Sequence, residues 1–492
     1  MTKSSSSSIA AAYALAAFTT LVATAPAHAD IAPDGGEIHV NTFTADDQTA
    51  PAVARLPDGG FVVVWQSFDQ LGGVDHDVFG RRFDAAGAPL GAVFQVNAYT
   101  SDDQIAPRVS AADDGTFLVV WQSFAQAGGL DYDVYARLFN ASGAAVGADV
   151  RVNNYTLDDQ SRPAVTTAPD GSFLVVWQSF DQAGGFDLDV YGRRLSAAGA
   201  TAGAEFRVNA ATADDQQAPS VAAAPDGTFV VAWQNFGAQT GDDEIFSRVF
   251  TAAAAPVAAA KRVNAATDGD QTLPVAAAAS DGTFVIAWQT YDASGFDAGV
   301  SARRVDGTAQ PLGGEIAVNA TTDGDQIVPS IAMDDAGAGF VVAWASLGQD
   351  DTADPTSFGV IARAFDASGA PLGGETIVNE TTSDDQEQPA VAALGAGGFA
   401  VAWQSFGQEG ALDAGIWARR YSSSGGTCGD FTGDGTLSAS DALGALNTAV
   451  GLGTCQLCVC DVDQSGSVVA TDALLVLTAA VGLPVPIHCA TC

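Results

Sequence analysis

The chain has 492 residues, 47% of them hydrophobic, and a formal net charge of −39 at pH 7. This length suits one large domain with a small one beside it, or three domains of ordinary size. The acidic excess excludes nucleic acid as an expected partner, because phosphate binding requires concentrated lysine and arginine. It favours metal cations, a salty exterior or plain solubility.

The N-terminal residues 1–29 predict a secretory signal peptide. Lys3 supplies a weak positive start, residues 9–22 are apolar, and residues 27–29 form a small-x-small cleavage site. No later stretch is apolar for long enough to span a bilayer. We therefore expect a secreted, extracellular protein without a transmembrane segment, either free or held at a cell surface by other means.

A Val-Asn pair recurs seven times along the chain, at intervals of 56, 56, 56, 55, 55 and 60 residues. Each pair leads into T-x-(D/G)-D-Q, a proline, a glycine-containing turn and a Phe-x-x-x-Trp segment. A fixed period of this length indicates a repeat architecture. The valines of the pairs are Val40, Val96, Val152, Val208, Val263, Val318 and Val378.

Each repeat contains four strand-like runs, which in the first repeat are residues 50–55, 60–68, 77–83 and 92–96. The second run is almost continuously apolar, as in a strand that is buried on both faces. Four short antiparallel strands repeated seven times predict an all-β fold, a β-propeller.

The phase of the repeats predicts how the propeller closes. The array begins with an isolated fourth strand at residues 36–41, and its last third strand, residues 415–422, has no fourth strand after it. We therefore predict a closed seven-bladed propeller over residues 36–424, in which the N-terminal strand completes the last blade. The alternative, an open array, would leave an unpaired strand edge at each end.

Two sets of loops carry carboxylates to one face of this propeller, which we call the acidic face. They are the loops that enter each blade and the loops between second and third strands. The pattern indicates a site for cations or glycans, or aspartates that cap turns and pair with arginine; recurrence in every blade favours the structural role. The entry-loop aspartates are Asp46/Asp47, Asp102/Asp103, Asp158/Asp159, Asp214/Asp215, Asp268/Asp270, Asp323/Asp325 and Asp384/Asp385.

One arginine recurs in every third strand, and we expect it to pair with a motif aspartate or to stack on the repeated tryptophan. These arginines are Arg81, Arg137, Arg193, Arg248, Arg303, Arg363 and Arg419. Over residues 37–424 the repeats resemble the "DGGFVVVWQS" repeats of large exported bacterial proteins. The resemblance implies a bacterial secreted or surface protein and no particular chemistry.

Signatures of an enzyme are weak throughout the chain. No G-x-S-x-G elbow, P-loop or H-E-x-x-H motif occurs. Aspartate is so abundant that no single carboxylate pair stands out as a glycoside hydrolase site. The sequence therefore predicts no catalytic residue.

All six cysteines lie in residues 428–492, which we call the tail. An even number of cysteines in one small exported region favours disulfides. Two C-x-x-C pairs also have the spacing of a zinc ribbon, so zinc remains the alternative. The cysteines are Cys428, Cys455, Cys458, Cys460, Cys489 and Cys492.

Two twelve-residue segments of the tail, "DFTGDGTLSASD" and "DVDQSGSVVATD", have the pattern of a calcium loop. Oxygen-bearing side chains alternate along each segment, as six or seven oxygen ligands around calcium require. A short amphipathic helix follows each loop, at residues 442–450 and 473–481. The predicted Ca²⁺ ligands are Asp430, Thr432, Asp434, Thr436, Ser438 and Asp441 in the first loop, and Asp461, Asp463, Ser465, Ser467 and Asp472 in the second.

This duplicated loop-helix unit, with aspartate at the twelfth position, resembles the dockerin domain. The resemblance implies two bound calcium ions and docking onto a cohesin-like module of a scaffold or cell surface. Thr432 of the first loop stands where dockerins usually have Asn or Asp, and Ser465 of the second replaces an Asp. We expect the second site to be weaker, because it has fewer charges. The alternative is that calcium only holds the tail together, without a partner.

These observations predict a secreted, monomeric binding or scaffold protein. Its propeller would present an acidic face to a ligand such as a glycan, and further calcium sites on that face are an open possibility. Its small α-helical tail would bind two calcium ions and tether the chain. The alternative is a component of extracellular polysaccharide degradation with glycoside hydrolase activity. A purely structural surface protein is a third interpretation.

Overall fold

The computed structural model describes the propeller almost completely and the tail in part. The described residues are 31–237, 241–291, 298–334, 339–351, 354–395, 397–409, 413–423, 439–449, 460–462, 467–480, 483 and 485. The predicted signal peptide lies outside them.

Seven antiparallel sheets form the seven blades of a β-propeller, as the repeats predicted. The innermost strands are β3 (Gln48–Arg55), β7 (Gln104–Ala111), β11 (Gln160–Thr167), β15 (Gln216–Ala223), β19 (Gln271–Ala278), β23 (Gln326–Met333) and β27 (Gln386–Gly395). The second strands are β4 (Phe61–Phe68), β8 (Phe117–Phe124), β12 (Phe173–Phe180), β16 (Phe229–Phe236), β20 (Phe284–Tyr291), β24 (Gly339–Leu347) and β28 (Gly398–Phe406).

The outer half of each blade completes the same order. The third strands are β5 (His76–Phe83), β9 (Tyr132–Phe139), β13 (Leu188–Leu195), β17 (Asp243–Phe250), β21 (Ala298–Val305), β25 (Phe358–Asp366) and β29 (Ala414–Ser423). The fourth strands of blades 1 to 6 are β6 (Phe94–Gln95), β10 (Ala145–Arg151), β14 (Thr201–Arg207), β18 (Lys261–Arg262), β22 (Pro311–Ala317) and β26 (Thr376–Ile377).

The N-terminal segment closes the ring at blade 7, as predicted. Strands β1 (Ile31–Pro33) and β2 (Ile38–His39) both pair antiparallel with β29. The sequence analysis foresaw β2 and missed β1. Innermost strand β27 packs against β3 of blade 1. The first and last parts of the propeller are therefore held together by strand pairing.

The hydrophobic core lies between the blades, because each second strand is covered on both sides. Every repeated tryptophan is buried, and apolar side chains on both faces of the second strand fill the layers between blades. In five blades the phenylalanine at or next to the start of the second strand stacks on an aromatic ring near the end of the third strand, as Phe61 does on Phe83 with ring centroids 4.9 Å apart. Such pairs add to the energy gained from burial.

Each innermost strand contains a bulge two residues after its first glutamine. The bulged residue has a positive φ of 49–55° although it is not glycine. In six blades its backbone N–H donates to a glutamine side chain in the second strand of the preceding blade, at 2.8–3.4 Å. The bulged residues are Ala50, Ala106, Arg162, Ala218, Leu273, Val328 and Gln388.

The tail contains helices α1 (Ala439–Ala449) and α2 (Ala470–Ala480). Each helix begins three residues before its predicted start. In α2 the reason is a cap, because the Asp472 carboxylate accepts the backbone N–H of Val469 at 2.8 Å. Ala445 and Ala473, one from each helix, pack on Cys460. No helix among the described residues is long and apolar enough to cross a membrane.

Candidate functional site

The second aspartate of each entry loop joins neighbouring blades. Its carboxylate accepts the backbone N–H at or next to the start of the preceding blade's third strand, at 2.9–3.0 Å in all seven blades. This repeated contact supports the structural role for these aspartates. The acceptors are Asp47, Asp103, Asp159, Asp215, Asp270, Asp325 and Asp385.

The asparagine of each Val-Asn pair organises a second carboxylate that is buried. Its side-chain oxygen accepts a third-strand N–H, as Asn97 does from Val78 at 2.8 Å, and its amide donates to an acidic side chain, which is Asp77 in blade 1 at 2.6 Å. Six blades contain such a carboxylate. They are Asp77, Asp133, Asp189, Glu244, Asp350 and Glu409.

In four blades the buried carboxylate belongs to the third strand, and in the other two it comes from the loop before that strand. In blades 6 and 7 the third strand has Gly359 and Gly415 where blades 1 to 4 have the acidic residue. A side chain at either glycine would collide with the carboxylate of Asp350 or Glu409, which comes from the preceding loop. The position is filled by a carboxylate in both arrangements, so it serves the blade.

Burial makes four of these carboxyl groups harder to ionise. It raises the pKa of Asp77, Asp133, Asp189 and Asp350, and the hydrogen bond from the neighbouring asparagine offsets only part of the rise. The most repeated acidic groups of this face are therefore committed to holding the blades together.

The repeated arginines are structural, but the expected partners are wrong. Each Nη1 donates to the carbonyl of the Val-Asn valine in the preceding blade, at 2.8–3.1 Å. Five of the guanidinium groups also lie over the aromatic ring two residues later, as Arg81 does over Phe83 at 5.7 Å. The second motif aspartates accept backbone N–H groups instead, and the indole N–H of four repeated tryptophans donates to a glutamine.

Among the described residues of the acidic face, the loops of blades 1 to 3 carry exposed side chains that the blades do not need. Val74, Leu130 and Phe186 occupy the same loop position in these blades, and 82%, 81% and 79% of their surfaces are exposed. We call these three residues the apolar tips. The loops that enter blades 1 to 3 also carry the partly exposed rings of Phe43, Tyr99 and Tyr155, where the other entry loops have alanine or threonine.

A central cavity of about 480 Å³ is lined by the innermost strands near the bulges. Its lining is mostly alanine, valine and proline, with Gln66, Ser220, Ser330 and Gln388 as uncharged polar members. Arg108 and Arg162 are the two charged residues of the lining. Neither arginine was predicted as a site residue, because the predictions rest on residues that repeat and these two depart from the repeat.

Glu387 is another residue that departs from the repeat. It follows the first glutamine of β27, where the other innermost strands have Thr, Ile, Ser or Gln. Burial raises its pKa, and the negative charge of Asp385 adds to that rise. The Gln404 amide donates to its carboxylate at 3.4 Å.

The described part of the tail contains only some of the predicted calcium ligands. Asp461 and Asp472 of the second loop are buried, and Ser467 is exposed. Asp441 lies in α1, with its side chain outside the described residues. Cys460 is disulfide-bonded, and the other five cysteines lie outside the described residues. The remaining predicted ligands also lie outside them: Asp430, Thr432, Asp434, Thr436, Ser438, Asp463 and Ser465.

The described residues contain no group of three or more His, Cys, Asp or Glu side chains arranged to hold a metal ion. These residues include the described part of the acidic face, where the second aspartates of the seven entry loops hold backbone groups. In the tail they include only two of the predicted acidic ligands with their side chains, Asp461 and Asp472.

No protein-family model and no curated protein matches the chain. Among solved structures, an ulvan lyase of a polysaccharide lyase family superposes with a TM-score of 0.50 at 11% identity, covering 77% of this chain and 95% of its own. A protein of unknown function from Dyadobacter fermentans gives 0.49 at 10% identity, covering 81% and 100%. An α-L-arabinanase from Penicillium chrysogenum gives 0.45 at 14% identity, covering 69% and 99%. Similarity at these identities concerns the fold alone.

Proposed function

We propose that this protein is an exported polysaccharide-binding protein that works in extracellular polysaccharide breakdown. The ligand would lie on the acidic face across blades 1 to 3. The observation that carries this proposal is the set of apolar tips. Three large apolar side chains exposed at matching loop positions mark an interaction surface, because folding gains nothing from them. The C–H faces of sugar rings are natural partners for such side chains and for the rings of Tyr99 and Tyr155.

The tail would bind calcium and tether the propeller to a cohesin-like partner. In support, the second loop places two carboxylates, Asp461 and Asp472, in a buried setting, and carboxylate oxygens are the donors that Ca²⁺ prefers. The two helices also present leucines at related positions, all exposed by 40% or more, which suits contact with a partner. These leucines are Leu443, Leu446, Leu474 and Leu477.

Hydrolysis of the bound polysaccharide is the second candidate function, and Glu387 favours it. A general acid must remain protonated near the working pH, and burial raises the pKa of this carboxyl in that direction. In such a reaction Glu387 would give its proton to the glycosidic oxygen, while water adds to the sugar carbon and the proton that this water releases restores the Glu387 carboxyl. The ulvan lyase that shares the fold is named as a polysaccharide enzyme.

The test measures binding of the calcium-loaded chain to a panel of polysaccharides by affinity electrophoresis. We expect Leu130→Ala with Phe186→Ala to weaken binding about tenfold or more, which corresponds to at least about 1.4 kcal/mol. Leu90→Ala is the matched control, because Leu90 is an exposed leucine of a loop between third and fourth strands. Binding that both variants leave unchanged would contradict the proposed surface.

The same samples separate binding from hydrolysis. New reducing ends that appear with the wild-type chain and vanish with Glu387→Gln would establish the second candidate. Binding without new reducing ends would leave a binding protein. The conservative Gln variant keeps the size of the side chain, so loss of activity would report the missing proton.

A further inference from the structure

The lining of the central cavity is positively charged, whereas the chain as a whole is strongly negative. The chain carries 58 acidic and 19 basic residues, yet no acidic side chain lines this cavity, whose innermost strands are described along their full length. Its charged lining residues, Arg108 and Arg162, come from the neighbouring strands β7 and β11 of blades 2 and 3. The cavity is therefore a local positive site in a strongly negative protein.

Neither arginine is required by the repeat. The position of Arg108 is Ala, Ser or Val in the other six blades, and the position of Arg162 is Ala, Leu, Val or Gln. The repeated third-strand arginines, by contrast, hold a carbonyl of the preceding blade in every case. The side chains of Arg108 and Arg162 make no contact that is common to the blades, so these two charges indicate a role in binding.

The two guanidinium groups have few protein partners. Arg108 Nη1 donates to the carbonyl of Pro107 at 2.8 Å. The backbone N–H of Arg162 donates to Gln122 at 3.0 Å, which fixes the bulge from which its side chain extends. Neither side chain forms an ion pair with the described residues. Most of their N–H donors remain available to a ligand.

The positive charges of the two guanidinium groups act on each other. Burial within the channel lowers the pKa of Arg108, and the positive charge of Arg162 lowers it further. Both side chains nevertheless remain exposed to the water of the channel. An anion placed between them would relieve the repulsion and accept hydrogen bonds from both guanidinium groups.

We propose that Arg108 and Arg162 bind an anionic substituent of the polysaccharide, a carboxylate or a sulfate ester, at the central cavity. This inference rests on the proposed function and narrows its ligand to acidic polysaccharides. The apolar tips of the same blades would contact the sugar rings, and the arginine pair would select chains that carry charge. Bidentate contacts suit either group, because both present coplanar pairs of oxygens to a guanidinium.

The experiment compares four probes: polygalacturonate, its methyl-esterified form, dextran sulfate and dextran. Affinity is measured for the full calcium-loaded chain and for Arg108→Gln, Arg162→Gln and the double variant. Arg151→Gln is the matched control, because Arg151 is an exposed arginine of the outer strand β10. We expect the wild-type chain to prefer one charged probe over its neutral counterpart by at least about tenfold. The double variant should lose that preference, and the control should keep it.

The preferred probe identifies the group, since polygalacturonate carries carboxylates and dextran sulfate carries sulfate esters. Equal binding of charged and neutral probes by all variants would overturn the arginine site and leave the polysaccharide surface standing. A second measurement covers the case in which no polysaccharide binds. The melting temperature in sodium sulfate is compared with that in sodium chloride at equal ionic strength.

A sulfate-induced rise that is larger in the wild-type chain than in the double variant would support an anion site while the proposed function fails. Equal rises in both chains, together with no preference among the probes, would overturn the anion site itself. The melting temperature in chloride also shows whether the variants fold.

Discussion

The carboxylate of Asp47 in the first entry loop accepts the backbone N–H of Ala414 in the last third strand, at 3.0 Å and across 367 residues of sequence. The same contact joins all the other pairs of neighbouring blades. Here it joins the beginning of the propeller to its end. It acts beside the pairing of β1 and β2 with β29, so the ring is closed by side-chain and backbone contacts together.

Replacing this acceptor should loosen the closure. We expect Asp47→Ala to lower the free energy of unfolding by about 1 kcal/mol, the usual net value of one hydrogen bond. Amide hydrogen exchange in β29 should become faster, because β29 loses a contact at its first residue. Asp47→Asn, which keeps an acceptor oxygen, should show a much smaller change. Equal exchange in all three chains would show that strand pairing alone closes the ring.

The repeated arginines predict a clear difference between arginine and lysine. Arg303 donates from Nη1 to Val263 at 2.8 Å and from Nη2 to Gly313 at 2.9 Å. A lysine has one compact ammonium group and cannot hold both carbonyls in this geometry. We expect Arg303→Lys to cost about 1–3 kcal/mol of stability, measured by urea unfolding. Arg304→Lys, at the next position, should cost less than about 0.5 kcal/mol.

The buried carboxyl groups predict that mild acid stabilises the propeller. Burial raises the pKa of Asp77, Asp133, Asp189 and Asp350 in the folded chain. The folded state then holds protons that the unfolded state, with a pKa of about 3.9, releases. Their contribution to stability is complete below about pH 3.9 and is lost as the pH rises through the raised pKa values.

Other aspartates act in the opposite direction. Side-chain hydrogen bonds from Thr116, Thr228 and Thr283 lower the pKa of Asp114, Asp226 and Asp281. Their contribution is present above about pH 3.9 and is lost as the pH falls through the lowered values. Stability measured by urea unfolding should therefore rise from pH 7 towards about pH 4 and fall below it. Asp77→Asn with Asp133→Asn should flatten the first change, and an unaltered profile would contradict the assignment.

The tail predicts a defined calcium stoichiometry. We expect two calcium ions per chain by native mass spectrometry, and one after Asp461→Asn with Asp472→Asn. Ser467→Ala should leave two, because Ser467 would bind calcium through its backbone carbonyl. A wild-type chain without bound calcium would contradict the dockerin-like interpretation of the tail. A much larger number would point to further sites on the acidic face.

The sequence predicts the propeller because its essential features repeat. The interval between Val-Asn pairs defines the blade, and the isolated fourth strand at the N-terminus defines the closure. Partners across blades were harder to predict. Each third-strand arginine donates to the backbone carbonyl of a valine, and a backbone carbonyl has no signature in the sequence. Aspartate and tryptophan side chains are the obvious partners of an arginine. The buried carboxylates of blades 6 and 7 were also hard to predict. They come from the loop before the third strand and not from the positions of Gly359 and Gly415.

The candidate site was missed for the opposite reason. Arg108, Arg162 and Glu387 stand at positions that are small, apolar or neutral in the other repeats. Aligning the seven repeats and searching for departures would have found them without a structure. In a repeat protein the common residues build the blades, and a residue found in one blade alone is free to serve a ligand.

Hydrogen exchange with and without a bound polysaccharide tests the proposed surface most directly. Polygalacturonate and dextran sulfate would each be added to the calcium-loaded chain. We predict protection in the loops at residues 69–75, 125–131 and 181–187, which contain Val74, Leu130 and Phe186, and little change in the turns on the opposite face. Protection of those opposite turns alone, or equal protection in all seven blades, would contradict a binding sector formed by blades 1 to 3.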